Sequence, residues 1–310
     1  MNRLLYYIMY IWMYLHALLP FGVLYVLSDI LCFFVYRVAG YRLKVVRKNL
    51  EAGFPGKTDR ERLILEREFY RHFCDYFVET LKLLHISDKE MRKRMKFENV
   101  EQIKELMKDG NSVLMFLGHY CNWEWITSLN MDFKDGDKVV GEIYKPLKNK
   151  AMNDLFLRIR SRFGSRAIAK QDTLRVIVKL RREGKQTLTG FMADQVPSWK
   201  NIHYWTTFLN QDTPVFTGVE RIARQTGFAV VYLDVEKTGR GYYRATVRLV
   251  TDKPAEEPEN MITETYIRAM EKTILRNPAY WLWTHKRWKR TRGKQKPDDN
   301  INEESSGCYP

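Results

Sequence analysis

Val113-Leu-Met-Phe-Leu117, closed by Gly118 and followed by His119-Tyr-Cys-Asn-Trp-Glu124, decides the fold. An unbroken apolar run of this length, ending in glycine, reads as a strand buried on both faces, as in a parallel sheet covered by helices. Asn122 is placed to cap a helix over Asn122–Met131. His119 then stands just past the carboxyl end of a buried strand, where open α/β sheets hold their ligands.

Outward from this stretch, short apolar runs alternate with helical patterns. Ser112–Leu117, Val139–Ile143, Thr187–Met192 and Phe228–Val235 read as strands. Leu147–Phe163, Asp172–Arg182, Val215–Thr226 and Glu259–Leu275 read as helices. The alternation predicts an α/β fold with a mostly parallel central sheet flanked by helices. Lys237-Thr-Gly-Arg-Gly241 predicts a turn into an antiparallel strand, Tyr242–Leu249. Thr58-Asp-Arg-Glu61 is a capping box, and an amphipathic pattern runs from it to about Leu84.

The N-terminal segment differs from this body. From Leu4 to Ser28 there is no Asp, Glu, Lys or Arg, and Tyr6, Tyr7, Tyr10, Trp12 and Tyr14 crowd its start. The run matches the roughly 20 apolar residues that cross a bilayer, and its rings suit the membrane interface. Pro20 and Gly22 interrupt it, which leaves a kinked span or a re-entrant hairpin open. Residues 1–36 are therefore expected to be an N-terminal membrane-anchoring helical segment, 37–292 the α/β domain and 293–310 a disordered tail. With one span, Arg37, Arg42, Lys44, Arg47 and Lys48 keep the body on the cytoplasmic side.

Composition agrees with a folded, basic protein. The 310 residues are 45% hydrophobic and 14% aromatic, which excludes bulk disorder. Mean hydropathy is −0.44, so the bulk of the chain is not multi-span. The net charge of +15 favours anionic partners. Cys32, Cys74, Cys121 and Cys308 form no C-x-x-C pair, so reduced thiols are expected.

His119 and Glu124 are the sharpest candidates for chemistry. Five positions apart, they cannot share a helical face. With His119 in the loop and Glu124 in the first helical turn, the carboxylate is expected to fold back on the ring as a general-base dyad. An acid in a helix's first turn is also common for dipole reasons alone. Cys121 reads as a small buried thiol rather than a nucleophile. There is no H-E-x-x-H, G-x-G-x-x-G or Walker A sequence. The basic segment His285–Arg292 suits a nucleic acid, a membrane or another anionic partner equally well.

Several stretches stand in order along the chain: Tyr41-Arg-Leu-Lys-Val-Val-Arg-Lys-Asn-Leu50 with Phe54-Pro55; His119-x4-Glu124; Tyr144-Lys-Pro-Leu-Lys-Asn149; Arg158-Ile-Arg160-Ser-Arg162; Met192-Ala-Asp194-Gln195; and Asn277-Pro278 leading to Trp281-Leu-Trp283-x-His285-Lys-Arg287-Trp288-Lys289. On these, the chain resembles the bacterial lipid A late acyltransferases, within the lysophospholipid-type acyltransferase group, over about residues 1–292. The family's frequent D-Q-D and F-F-G are Asp194-Gln195-Val196 and Phe208-Leu209-Asn210 here.

The resemblance implies acyl transfer from an acyl carrier protein thioester to a hydroxyl of a lipid A precursor at the inner membrane. Another glycolipid or an aminolipid is the alternative acceptor. His119 would be the base and Glu124 its orienting partner. Arg160 would hold a phosphate or oxyanion, and Asp194 would orient Arg160. No cofactor, metal or nucleic acid is expected. Arg42, Lys44, Arg47 and Lys48, with Lys286, Arg287, Lys289, Arg290 and Arg292, are the expected contacts to membrane or anionic partner.

Overall fold

The computed structural model describes residues 3–134 and 138–293; the expected tail, 293–310, otherwise lies outside the described residues. In chain order the elements are α1 (Arg3–Leu18), α2 (Phe21–Cys32), a π-helical turn Phe33–Val38, α3 (Leu43–Gly53), α4 (Asp59–Lys82), α5 (Asp88–Arg94), β1 (Met95–Glu98), α6 (Val100–Leu106) and β2 (Val113–Leu117). Then come a 3-10 stretch Trp123–Asp132, β3 (Lys138–Tyr144), α7 (Lys150–Arg160), β4 (Arg166–Ala169), α8 (Thr173–Arg182), β5 (Gln186–Met192), β6 (Tyr204–Phe208) and β7 (Gln211–Val215). The body ends with α9 (Gly218–Thr226), β8 (Ala229–Gly239), β9 (Tyr242–Thr251) and α10 (Met261–Arg276).

The main sheet has seven strands in the order β1-β9-β8-β2-β5-β3-β4. All pairings are parallel except β8 with β9, as the Lys237–Gly241 turn predicts. β2 lies near the middle with every residue buried, which is why its sequence is apolar without alternation. The fold is the expected α/β class, with helices over the sheet.

Two local expectations are corrected. Trp123–Asp132 is 3-10 and not an α-helix. Thr127 and Ser128 donate their hydroxyls to the carbonyls of Glu124 and Trp125, three residues back, and so compete with regular helical bonding. Val215 belongs to β7, so the helix expected from it begins at Gly218. The β6–β7 hairpin turns on Leu209 and Asn210, both at positive φ (47° and 63°), as a two-residue primed turn requires. Asn210 Nδ2 donates to Gly53 O at 3.0 Å, tying this turn to the end of α3.

α4 begins at the expected capping box, with Thr58 and Glu61 bonded reciprocally. Both α1 and α2 pack against α4. Phe21–Val38 is the one described helical stretch long and apolar enough to cross a membrane, and little of it is buried.

Candidate active site

The site forms where β2 and β5 end side by side. Their register pairs Leu117 with Met192, so His119 and Asp194 leave the sheet at one level. Gly118 permits the close approach: a Cβ there would overlap Met270 and lie 3.5 Å from Asp194 Cγ.

His119 is held by Asp194. Its ring Nδ1 lies 2.7 Å from Asp194 Oδ1, and its backbone N–H donates to Oδ2 at 3.0 Å. Trp281 Nε1 donates to the same Oδ2 at 2.8 Å. Burial alone would raise the Asp194 pKa, but the His119 charge and these donors bring it down to about 2. An ionised Asp194 fixes the proton on Nδ1 and leaves Nε2 as the acceptor. Gln195 Nε2 lies 3.2 Å from that nitrogen.

Glu124 is turned away from this pair. Arg160 Nε donates to Glu124 Oε2 at 2.8 Å and Nη2 to Oε1 at 2.5 Å, a bidentate ion pair with Glu124 buried. Burial lowers the Arg160 pKa, but the Glu124 carboxylate more than offsets it and the net shift is upward. The expected Glu124–His119 and Asp194–Arg160 partnerships are therefore exchanged. All four residues do meet at one end of the sheet, but the acids sit on the opposite bases. Asn149 Oδ1 accepts from Met152 N at 3.1 Å and so caps α7, whose last residue is Arg160.

The closing segment locks the loop. Cys121 N donates to Tyr280 O at 2.9 Å and Leu282 N to His119 O at 3.1 Å, with Tyr120 bridged to Trp281. Asn49 Nδ2 donates to Trp283 O (2.8 Å) and His285 O (2.7 Å), fastening that segment to α3. Val196 N donates to His285 Nε2 at 3.2 Å, while burial and the nearby Arg287 and His119 charges push the His285 pKa down to about 3. His285 is thus a neutral acceptor holding the chain just after Asp194. Cys121 is fully buried, and burial pushes its thiol well up, so it is a packed thiol.

Beside Glu124 and Arg160 lies an apolar cavity between β2, β3, β5 and the 3-10 stretch. Leu117, Trp123, Leu129, Val140 and Met192 line it, with Gly190 at its wall. A Cβ on Gly190 would reach 3.3 Å from Leu117 Cδ2. Glu142 also faces this cavity, with Oε1 buried and unpartnered. Burial pushes its carboxyl up to about 8, against the pull of Arg160. Sequence reading missed Gln195 as a contact of the base, and Glu142 altogether; the first sits in the quoted Asp194-Gln195 element, whereas nothing in the alternation of β3 marks the second.

The basic segments divide. Lys44, Lys48, Lys286, Lys289 and Arg292 are exposed. Arg47 pairs with Glu66 at 2.8 Å, and Arg42 Nη1 donates to Thr284 O at 3.1 Å. Arg287 and Arg290 are buried, so the run is not one solvent-facing patch. Arg287 Nη2 donates to Pro214 O at 3.0 Å, and its guanidinium lies over the Phe208 ring. The segment runs as a series of turns, neither helix nor strand, and so sends some of its basic side chains inward and others outward.

The class is an α/β protein with a buried carboxylate–imidazole pair at the carboxyl end of a central strand, close to an apolar cavity. The whole-chain match is to the sequence model described as bacterial lipid A biosynthesis acyltransferase, over residues 1–290, and the chain belongs to that family. It is 25% identical over 275 residues to the lipid A biosynthesis palmitoleoyltransferase of Escherichia coli (strain K12), covering 84% of this chain and 85% of the relative. It is 23% identical to a lipid A biosynthesis acyltransferase of Haemophilus influenzae, covering 86% and 81%. It is 22% identical to the E. coli lipid A biosynthesis lauroyltransferase, covering 87% of each.

Proposed function

We propose that this acyltransferase moves a fatty acyl chain from an acyl carrier protein thioester to a hydroxyl of a lipid A precursor at the cytoplasmic face of the inner membrane. The observation that carries the reading is the 2.7 Å contact of His119 Nδ1 with buried Asp194, which leaves Nε2 as the base; the Trp123 ring, 5.2 Å from the imidazole, stands between it and the apolar cavity. The names of the E. coli relatives, a palmitoleoyl- and a lauroyltransferase, support a fatty acyl cargo and a lipid A acceptor.

In this mechanism His119 Nε2 takes the acceptor hydroxyl proton as the oxygen bonds to the thioester carbon. Asp194 stabilises the imidazolium that forms. The tetrahedral intermediate collapses, the C–S bond breaks, and the Nε2 proton passes to the departing thiolate. The acceptor displaces Gln195 from Nε2, and the Gln195 amide then stands as a neutral N–H donor for the oxyanion. Glu124 acts through Arg160, which it holds in place for an anionic group of the substrate. The apolar cavity, about 30 Å³, marks where the acyl chain enters, and its walls part to take the whole chain.

The test is transfer by the purified full chain from a palmitoleoyl or lauroyl carrier thioester to a lipid A precursor, read by mass spectrometry. A mass gain of one ester-linked chain is expected. Loss of thioester with no acylated acceptor would overturn the assignment.

A further inference from the structure

We propose that α1 and α2 lie in the plane of one membrane leaflet, with their outer faces in the acyl layer, and do not cross the bilayer. The proposal goes beyond the catalytic reading and uses none of its chemistry.

The outer faces carry apolar stripes at helical spacing. On α1, Ile8, Ile11 and Leu15 are exposed, and on α2 and its π-turn so are Val26, Ile30 and Phe33, the last at 58%. Such a stripe on a helix whose other face is occupied belongs against something apolar.

The inner faces are fixed to the body by polar contacts. Ser28 Oγ donates to Asp75 Oδ1 at 2.8 Å, and Tyr25 OH to Glu79 Oε1 at 3.1 Å. At the break before Pro20, Lys82 Nζ donates to the carbonyls of Ala17 and Leu19, each at 2.7 Å. Arg240 Nη2 bridges Asp29 (2.6 Å) and Asp75 (2.7 Å).

This docking is incompatible with a span. Phe21–Val38 is 18 residues, or about 27 Å of helix, enough to cross the hydrocarbon layer only if all of it enters. Asp29 lies at its middle, with its side chain 49% exposed and 3.7 Å from the mostly exposed Arg71. Insertion end to end would carry Asp29, Arg71, Arg240 and a flank of α4 into hydrocarbon, where charged side chains are strongly disfavoured. Lying in the plane submerges only the apolar face, about 5–10 Å deep, and leaves these charges on the wet side. Exposed Arg37, Lys44 and Lys48 follow the stripe and complement anionic head groups. The same arrangement brings the leaflet close to the cleft, because α1 packs along α7, with Arg158 over the Tyr10 ring at 4.5 Å.

Topology decides it. The full chain, with a protease-cleavable tag before Met1 and another after Pro310, is placed in sealed inside-out membrane vesicles. An impermeant protease is expected to remove both tags from the same face. Removal of the C-terminal tag with protection of the N-terminal one would overturn the proposal. As a second measurement, Val26→Asp with Phe33→Asp is expected to cut flotation with phosphatidylethanolamine–phosphatidylglycerol vesicles at least tenfold while the melting transition stays cooperative. Flotation equal to the unmodified chain would also overturn it. Both readouts are independent of acyl transfer, so failure of the catalytic reading leaves them unchanged.

Discussion

His119 and Asp194, 75 positions apart, share two contacts: ring Nδ1 to Oδ1 at 2.7 Å and backbone N–H to Oδ2 at 3.0 Å. The carboxylate therefore fixes both the ring's tautomer and the loop that carries it. Asp194→Asn keeps the shape but offers an amide that permits the wrong tautomer. The expected outcome is a fall in kcat of about 10²–10⁴-fold with little change in KM. Steady-state kinetics against both substrates checks it; an unchanged kcat would remove Asp194 from the mechanism.

Glu124 is expected to matter first to stability. Glu124→Ala leaves the Arg160 guanidinium buried without its carboxylate, which typically costs about 3–5 kcal/mol. The double variant Glu124→Ala with Arg160→Met removes both charges and should recover much of that loss. Chemical denaturation of the two variants reads the difference. Equal stabilities would show that the pair is not coupled as its bidentate geometry implies.

Much of this was legible from the chain. Buried strands announce themselves, because a strand covered on both faces must be apolar throughout, as β2 is. The edge strands β1 and β4 were missed because each is only four residues long and partly exposed, with little periodicity to read. The four residues that meet at this end of the sheet were named as candidates, but their pairing was not. Sequence proximity favoured Glu124 for His119, whereas Arg160, 36 positions on, supplies the stronger electrostatic partner. The burial of Arg287 was equally hidden: a basic run looks solvated until a backbone of successive turns carries some of its side chains inward.

Glu142 makes a pH prediction. Burial raises its carboxyl to about 8, above the unfolded value of about 4.3, so the folded state holds the proton longer. Between those values stability falls as pH rises, because the unfolded chain binds fewer protons. Glu142→Gln removes the charge that burial penalises, so it should flatten that slope and stabilise the protein at pH 8, by only about 1–2 kcal/mol because the side chain keeps some solvent contact. Denaturant midpoints at pH 5 and pH 8 check it. A variant whose midpoint falls as steeply as the parent's would assign the slope to other groups.

Gly190 offers a test of the cavity. A side chain there points toward Leu117 and Met115 and shortens the space beside Arg160. Gly190→Met is expected to lower kcat/KM for a sixteen-carbon donor at least tenfold relative to a twelve-carbon donor, since each buried methylene is worth about 0.8 kcal/mol. Competition between the two carrier thioesters gives the ratio directly. An unchanged ratio would place the acyl chain elsewhere.

The base itself is tested by single-turnover transfer from carrier thioester to lipid A precursor, comparing His119→Ala with the unmodified chain at matched membrane binding and melting temperature. Removing a general base is expected to slow the chemical step about 10²–10⁴-fold while both substrates still bind. A His119→Ala enzyme that transfers the chain at a near-normal rate would contradict the account.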